Sequence, residues 1–85
     1  MTFIRVADDP ALRSCQLRAL ADPTRFQIHC LVSERAHRVG ELAELCPGTR
    51  WSVQKKINEL ANAQLVTKNR IGRFVMVEAV IWREY

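Results

Sequence analysis

The stretch that decides the fold is residues 49–74, which read TRWSVQKKINELANAQLV and then TKNRIGRF. The first part predicts an amphipathic helix from Arg50 to about Ala63, because apolar residues recur along one face at spacings of three and four. These apolar residues are Val53, Ile57, Leu60 and Ala61. Thr49 is a suitable N-cap, since its hydroxyl can accept from a free amide of the first turn.

A short basic hairpin is predicted to follow this helix. Residues 65–68 and 74–80 have the β-forming composition of two strands, and residues 69–73 between them carry turn formers that include Gly72. We predict that this hairpin forms a wing over residues 67–75.

Three more helices are predicted upstream. Acidic residues followed by proline start helices at Pro10 and Pro23, which we expect to run over 10–21 and 23–35. A short third helix over 40–46, with Leu42, Ala43 and Leu45 inward, ends at a Cys46-Pro47-Gly48 turn. The predicted fold is mainly α with a small β-hairpin: one winged helix-turn-helix domain over 1–85, with four helices plus the wing.

The charge is concentrated in the same stretch. The chain has a formal charge of +4, but residues 49–73 hold six Lys and Arg and one acid, so they carry +5 and the remainder carries −1. A polar, cationic helix followed by a basic hairpin is suited to a DNA groove and its flanking phosphates. We expect double-stranded DNA as the partner.

Composition and sequence patterns exclude several other classes of protein. No apolar run approaches the length of a membrane span, and Asp8 and Asp9 interrupt any signal-peptide pattern, so we expect a cytoplasmic protein that does not enter a membrane. Cys15, Cys30 and Cys46 form no C-x-x-C pair. Catalytic motifs are absent, so we expect no enzyme activity and no cofactor.

Three segments resemble the ArsR-type winged-helix repressors of bacteria. They are LRALADPTRFQI (17–28), VGELAEL (39–45) and LVTKNRIGRF (65–74). The resemblance implies a homodimeric transcriptional repressor whose fourth helix reads the major groove while the wing holds the DNA backbone.

The chain also departs from that family. Arg38 and Gly40 stand where many members have metal-binding cysteines, and the chain ends at Tyr85, where others continue into a C-terminal helix with a second metal site. We therefore expect no metal site and a dimer interface on the first helix, with Leu12, Cys15 and Leu17. Gln64 replaces the usual glycine after the recognition helix, at a cost on the order of 1 kcal/mol if its backbone is left-handed.

Two sets of side chains are the predicted DNA contacts. Candidates for base edges are Arg50, Ser52, Gln54 and Lys55. Candidates for phosphates are Thr49, Lys56, Lys68, Arg70 and Arg73.

Two alternatives remain open. The fold can serve as a protein-interaction module that presents Trp51, Trp82 or the N-terminal arm, which contains Phe3 and Ile4. The second alternative is a repressor that senses redox state through a cysteine thiol. We expect Cys15 and Cys30 to be small buried hydrophobic residues, and Cys46 to be the most accessible thiol. His29 is expected to be partly buried and hydrogen-bonded, and His37 solvated.

Overall fold

Four helices and a three-stranded sheet make up the part of the chain that the computed structural model describes, residues 6–80. The helices are α1 (Pro10–Ala19), α2 (Pro23–Glu34), α3 (Val39–Leu45) and α4 (Arg50–Asn62). The strands are β1 (His37–Arg38), β2 (Val66–Ile71) and β3 (Phe74–Ala79). The predictions on Phe3, Ile4 and Trp82 lie outside the described residues.

Aspartate caps fix the starts of α1 and α2, as the sequence predicts. The Asp9 carboxylate accepts from the Leu12 amide at 2.9 Å, and the Asp22 carboxylate accepts from the Arg25 amide at 3.0 Å. A proline follows each cap, at a position where an amide would have no helical partner. Helix α1 ends two residues before the predicted bound, because the chain turns at residues 20–22 into the cap of α2.

The core lies between α2, α3, α4 and the inner face of the sheet. Val53, Ile57 and Leu60 of α4 are fully buried, which confirms the predicted apolar face. Ile28, Leu42, Leu65 and Val77 complete the deepest part. Leu45 was expected to point inward but is 52% exposed, because α3 ends there and the next residue, Cys46, is buried instead.

The sheet has one strand more than the sequence predicts. Strand β1 pairs antiparallel with β3, with His37 opposite Val77, and the strand order is β1-β3-β2. This pairing buries His37, which was wrongly expected to be solvated. The hairpin of β2 and β3 has a two-residue turn at Gly72 and Arg73, and Gly72 has φ of 60°. A glycine with positive φ at the first turn position is the arrangement of a type II′ turn.

At the end of α4, Gln64 has the left-handed backbone for which a cost was expected from the sequence. This residue has φ of 60°, and the Leu65 amide donates to the Leu60 carbonyl at 3.0 Å. A left-handed residue with this bond pattern closes the helix as a glycine would. The chain therefore enters β2 directly after α4.

Candidate nucleic-acid interface

The start of α4 is fixed by a tight turn and two hydroxyl groups. The Thr49 hydroxyl oxygen accepts from the Ser52 amide at 3.1 Å, and the Ser52 hydroxyl donates to the Thr49 carbonyl at 2.9 Å. Gly48 has φ of 102°, and a Cβ added there would lie 2.6 Å from the Ser52 hydroxyl. Thr49 and Ser52, both predicted DNA contacts, thus hold the first turn of the helix in place.

Four of the exposed side chains of α4 form one continuous surface. Trp51, Gln54, Lys55 and Asn58 recur at helical spacing and line one open depression of about 340 Å³. The Lys55 ammonium lies 5.7 Å from the centre of the Trp51 ring, within the range of a cation–π contact. This surface, called the reading face below, carries two of the predicted base contacts, Gln54 and Lys55.

Lys56 lies on another side of α4. Its ammonium is 3.3 Å from the Asp22 carboxylate, and its side chain is only 27% exposed. The pKa of Asp22 is lowered, first by the hydrogen bond from the Arg25 amide and further by Lys56. Lys56 therefore connects α4 to the start of α2, and it must leave this ion pair to reach a phosphate.

A second surface, called the arginine groove below, lies between α3, α4 and the wing. It has a volume of about 270 Å³, and the guanidinium-bearing residues Arg38, Arg50 and Arg73 line it together with Gln54. The Arg38 guanidinium lies 4.8 Å from the centre of the Phe74 ring. The groove thus collects positive charge from three separate elements.

Two carboxylates, Glu41 and Glu44, also line the arginine groove. Glu41 is already engaged: it accepts from the Arg38 amide at 3.1 Å and pairs with the Arg35 guanidinium at 3.0 Å and with Nε of Arg38 at 3.4 Å. These contacts lower the pKa of Glu41 to about 2. Its negative charge is balanced by Arg35 and by Arg38, so part of the positive charge that Arg38 brings to the groove is neutralised there.

The wing contacts the reading face. The Lys68 ammonium on β2 donates to the Asn58 side-chain oxygen on α4. Lys68 and Arg70, two residues apart on β2, project from the same face of the strand and are both exposed. The structure therefore brings Lys68 beside the reading face and Arg73 beside the arginine groove.

Sequence reasoning missed two members of this surface. Arg38 was considered only as the residue at a lost metal site, and Asn58 only as a polar residue of the helix. Arg38 directly precedes α3 and pairs with Met76 across the sheet, a long-range register that no local pattern reveals. Asn58 could have been included from its spacing of four residues from Gln54.

The cysteines differ from expectation. All three are free: Cys15 is exposed, Cys30 is half-buried, and Cys46 is buried rather than the most accessible. Burial raises the pKa of the Cys30 thiol, with a further contribution from Glu34, and burial also raises that of Cys46. A higher thiol pKa means less thiolate, which disfavours these two as redox sensors.

His29 is buried, but one of its ring nitrogens lacks the expected hydrogen bond. It is 4% exposed, and its Nδ1 atom has no hydrogen-bond partner within residues 6–80. Burial lowers the pKa of its imidazole. In the same part of the chain, no three His, Cys, Asp or Glu side chains are grouped so that they could hold a metal ion.

The predicted dimer residues on α1 lie on different sides of the helix. Leu17 is 52% exposed, Cys15 is exposed and Leu12 is half-buried. At about 100° per residue, Cys15 and Leu17 lie on opposite flanks of the face that buries Gln16 and Leu20. A flat surface of a second subunit would therefore contact either the flank with Leu17 or the flank with Cys15 more fully, but not both equally.

The helix-turn-helix of α3 and α4, with the β2–β3 hairpin beside it, defines a winged helix-turn-helix protein. Within residues 6–80, no helix is both long and apolar enough to cross a membrane. No known family model and no curated protein sequence matches the chain.

Solved structures do match it. A possible transcriptional regulator for arsenical resistance is 31% identical, over 76% of this chain and 68% of that one, with a TM-score of 0.73. An ArsR-like regulator from Rhodococcus sp. RHA1 is 27% identical, over 82% and 66%, with a TM-score of 0.74. Reduced HlyU from Vibrio cholerae, 23% identical over 81% and 73% with a TM-score of 0.76, supports the fold.

The chain belongs to the ArsR-type family of winged helix-turn-helix transcriptional regulators. This confirms the resemblance noted in the sequence. The family is one of regulators rather than enzymes, as expected from the absence of catalytic motifs.

Proposed function

We propose that this regulator is a homodimeric, cytoplasmic repressor that binds a specific double-stranded DNA site. The reading face of α4 enters the major groove, and the arginine groove and wing hold the adjacent phosphates. The observation that carries the proposal is the convergence of Arg38, Arg50 and Arg73, from three elements, on one groove beside the reading face.

The reading face supplies base contacts. Gln54 can make a bidentate pair with adenine, and Lys55 can donate to the acceptors of guanine. Both side chains are exposed. Arg50 lines the arginine groove together with Gln54, the residue that this groove shares with the reading face, and from there it can reach a base edge or a phosphate.

The flanking cations supply phosphate contacts. Lys68, Arg70 and Arg73 are exposed on the wing, and Arg38 adds a guanidinium from the side of α3. The Phe74 ring beneath Arg38 limits the conformations of that guanidinium, whose Nε also lies 3.4 Å from the Glu41 carboxylate, so Arg38 must share its donors with Glu41 to meet a phosphate. The Thr49 hydroxyl, whose oxygen already accepts from Ser52, can still donate its proton to a phosphate.

DNA titrations test the proposal. A preferred duplex is first selected from a random pool, and affinity is then measured against salt for the parent and for single alanine variants. Gln54→Ala and Lys55→Ala should lower affinity for the selected duplex by about 1–3 kcal/mol each and relax its sequence preference.

Arg38→Ala, Arg70→Ala and Arg73→Ala should instead weaken all duplexes alike and reduce the salt slope by about 0.9 for each phosphate that the variant no longer neutralises. Arg18→Ala is the matched control, since it removes an exposed arginine of α1, outside both surfaces. If Arg18→Ala lowers DNA affinity as much as the groove variants do, then affinity depends only on the net charge of the protein, and the assignment of phosphate contacts to the groove is wrong.

The second candidate is a protein-interaction module, and the exposed Trp51 is the observation that favours it. The two candidates differ in salt dependence. A module that does not bind DNA shows no linear loss of log affinity for duplexes with log salt, whereas a DNA-binding repressor does.

A further inference from the structure

Trp51 is the most exposed large apolar side chain in the part of the chain that the structure describes. Its relative exposure is 71%, compared with 62% for Ile71 and 52% for Leu17 and Leu45. It lies in the first turn of α4, the part of a helix-turn-helix recognition helix that contacts base edges. An indole held in water at this place has an unsatisfied apolar surface.

The surroundings of Trp51 are polar and cationic. Its neighbours on the reading face are Gln54, Lys55 and Asn58, and Lys55 lies over the ring. The cores of protein–protein interfaces are enriched in aromatic side chains, tryptophan included, but they are depleted in lysine and more apolar than the rest of the surface. None of the side chains that share the depression with Trp51 is apolar, and Lys55 among them is cationic, which favours an anionic partner that carries a small apolar group.

DNA offers one apolar group at its base edges in the major groove, the 5-methyl group of thymine. The indole has a single N–H donor and no acceptor, so it cannot form the bidentate pairs that identify adenine or guanine. Its ring face can cover a methyl group while the arginines of the neighbouring groove hold the backbone. The apolar ring of Trp51 thus matches the methyl group of thymine, and the neighbouring cations match the anionic backbone of DNA.

We propose that Trp51 reads a thymine of the bound DNA site through contact of its indole ring with the 5-methyl group. This inference rests on the proposed DNA binding and adds a base identity to it. Lys55, at the next turn, orients the ring through the cation–π contact.

The test uses the duplex selected from the random pool. Each thymine is replaced in turn by deoxyuridine, which removes only the methyl group and leaves base pairing intact. Loss of one buried methyl should reduce parental affinity by about fourfold at the thymine that Trp51 contacts. Trp51→Ala should bind the unmodified duplex about as weakly as the parent binds the substituted one, and should be indifferent to that replacement.

Gln54→Ala is the control, because it removes a neighbouring contact and should keep the methyl sensitivity. Trp51→Ala should retain the parental melting temperature, since the side chain is exposed. The inference is overturned if no thymine replacement affects the parent, or if Trp51→Ala remains sensitive. In both cases salt-dependent binding of the parent still supports DNA as the partner. A parent that binds no duplex overturns the proposed function itself, and with it this inference.

Discussion

Arg25, in the first turn of α2, forms an ion pair with Glu59 of the recognition helix. The same guanidinium donates from Nε to the Ala19 carbonyl at the end of α1, at 2.6 Å. One side chain therefore connects α1, α2 and α4. One turn earlier on α4, Lys56 pairs with Asp22. The Asp22–Arg25 segment thus fixes the recognition helix against the body of the protein, in addition to starting α2.

The first prediction concerns this ion pair. The Arg25 and Glu59 side chains are 20% and 37% exposed, so their interaction is only partly screened by water. Urea unfolding of Arg25→Met, Glu59→Gln and the double variant should give a coupling free energy of about 1 kcal/mol. Arg35→Met is the control for an exposed arginine, and its coupling to Glu59→Gln should be zero. Strict additivity of Arg25→Met and Glu59→Gln would contradict the role given to the pair.

The second prediction concerns the dimer. Leu17 is the most exposed large apolar side chain of α1, so we expect it at the interface between two copies. Leu17→Glu should convert a dimer into a monomer in sedimentation experiments, because the new charge would be buried on association. Cys15→Glu, on the opposite flank, should have the smaller effect. A stable monomer of the parent at high concentration would contradict the homodimer.

The third prediction concerns pH. Burial lowers the pKa of His29 below its ordinary value of 6.5, so the folded protein favours the neutral imidazole. The unfolded chain then binds a proton first as pH falls below about 6.5, and the free energy of unfolding decreases. His29→Gln should lose less stability than the parent between about pH 7.5 and about pH 5.5, measured by urea unfolding. Equal losses of stability in the two proteins would contradict a role for His29. The Glu41 carboxyl does not interfere with this measurement, because it titrates in a separate pH range, below its ordinary pKa of 4.5.

The fourth prediction concerns the end of α4. Gln64 has a left-handed backbone, which glycine adopts without the steric cost of a Cβ. Gln64→Gly should raise the free energy of unfolding by up to about 1 kcal/mol. Gln64→Ala keeps the Cβ and should bring no gain. If both variants change stability equally, the backbone conformation is not the cause.

The fifth prediction concerns metals. Zinc, nickel or copper should leave DNA affinity unchanged when a reductant is present, since residues 6–80 group no three suitable ligands. The measurement is a DNA titration with metal and then with chelator. A reproducible tenfold difference, about 1.4 kcal/mol of coupling, would reveal a site that this set of residues does not show.

The elements with local signals were predictable. The two Asp-Pro pairs placed the starts of α1 and α2, and the spacing of Val53, Ile57 and Leu60 identified the buried face of α4. These features depend on neighbours within one or two turns of the chain. The left-handed Gln64 was predictable because its position relative to the end of α4 is a local property as well.

The features that depend on distant partners were not predictable. Strand β1 has only two residues, and its existence depends on pairing with Met76 and Val77. The positive charge of Lys56 was visible, but not its pairing with Asp22, 34 residues away. For the same reason, the sequence identified Arg50 and Arg73 of the arginine groove as DNA contacts but not Arg38, since only the folded chain brings Arg38 beside them.

The division of α4 into separate faces has a practical consequence. Val53, Ile57 and Leu60 hold the core, and Lys56 and Glu59 hold α2, so folding uses one side of the helix. The residues of the reading face make none of those contacts. New side chains can therefore be placed at positions 51, 54 and 55, and at 58 with loss of the Lys68 contact, with little effect on the core. Under the proposed function, a library randomised at these positions alone is a direct route to redirecting the protein to other DNA sequences.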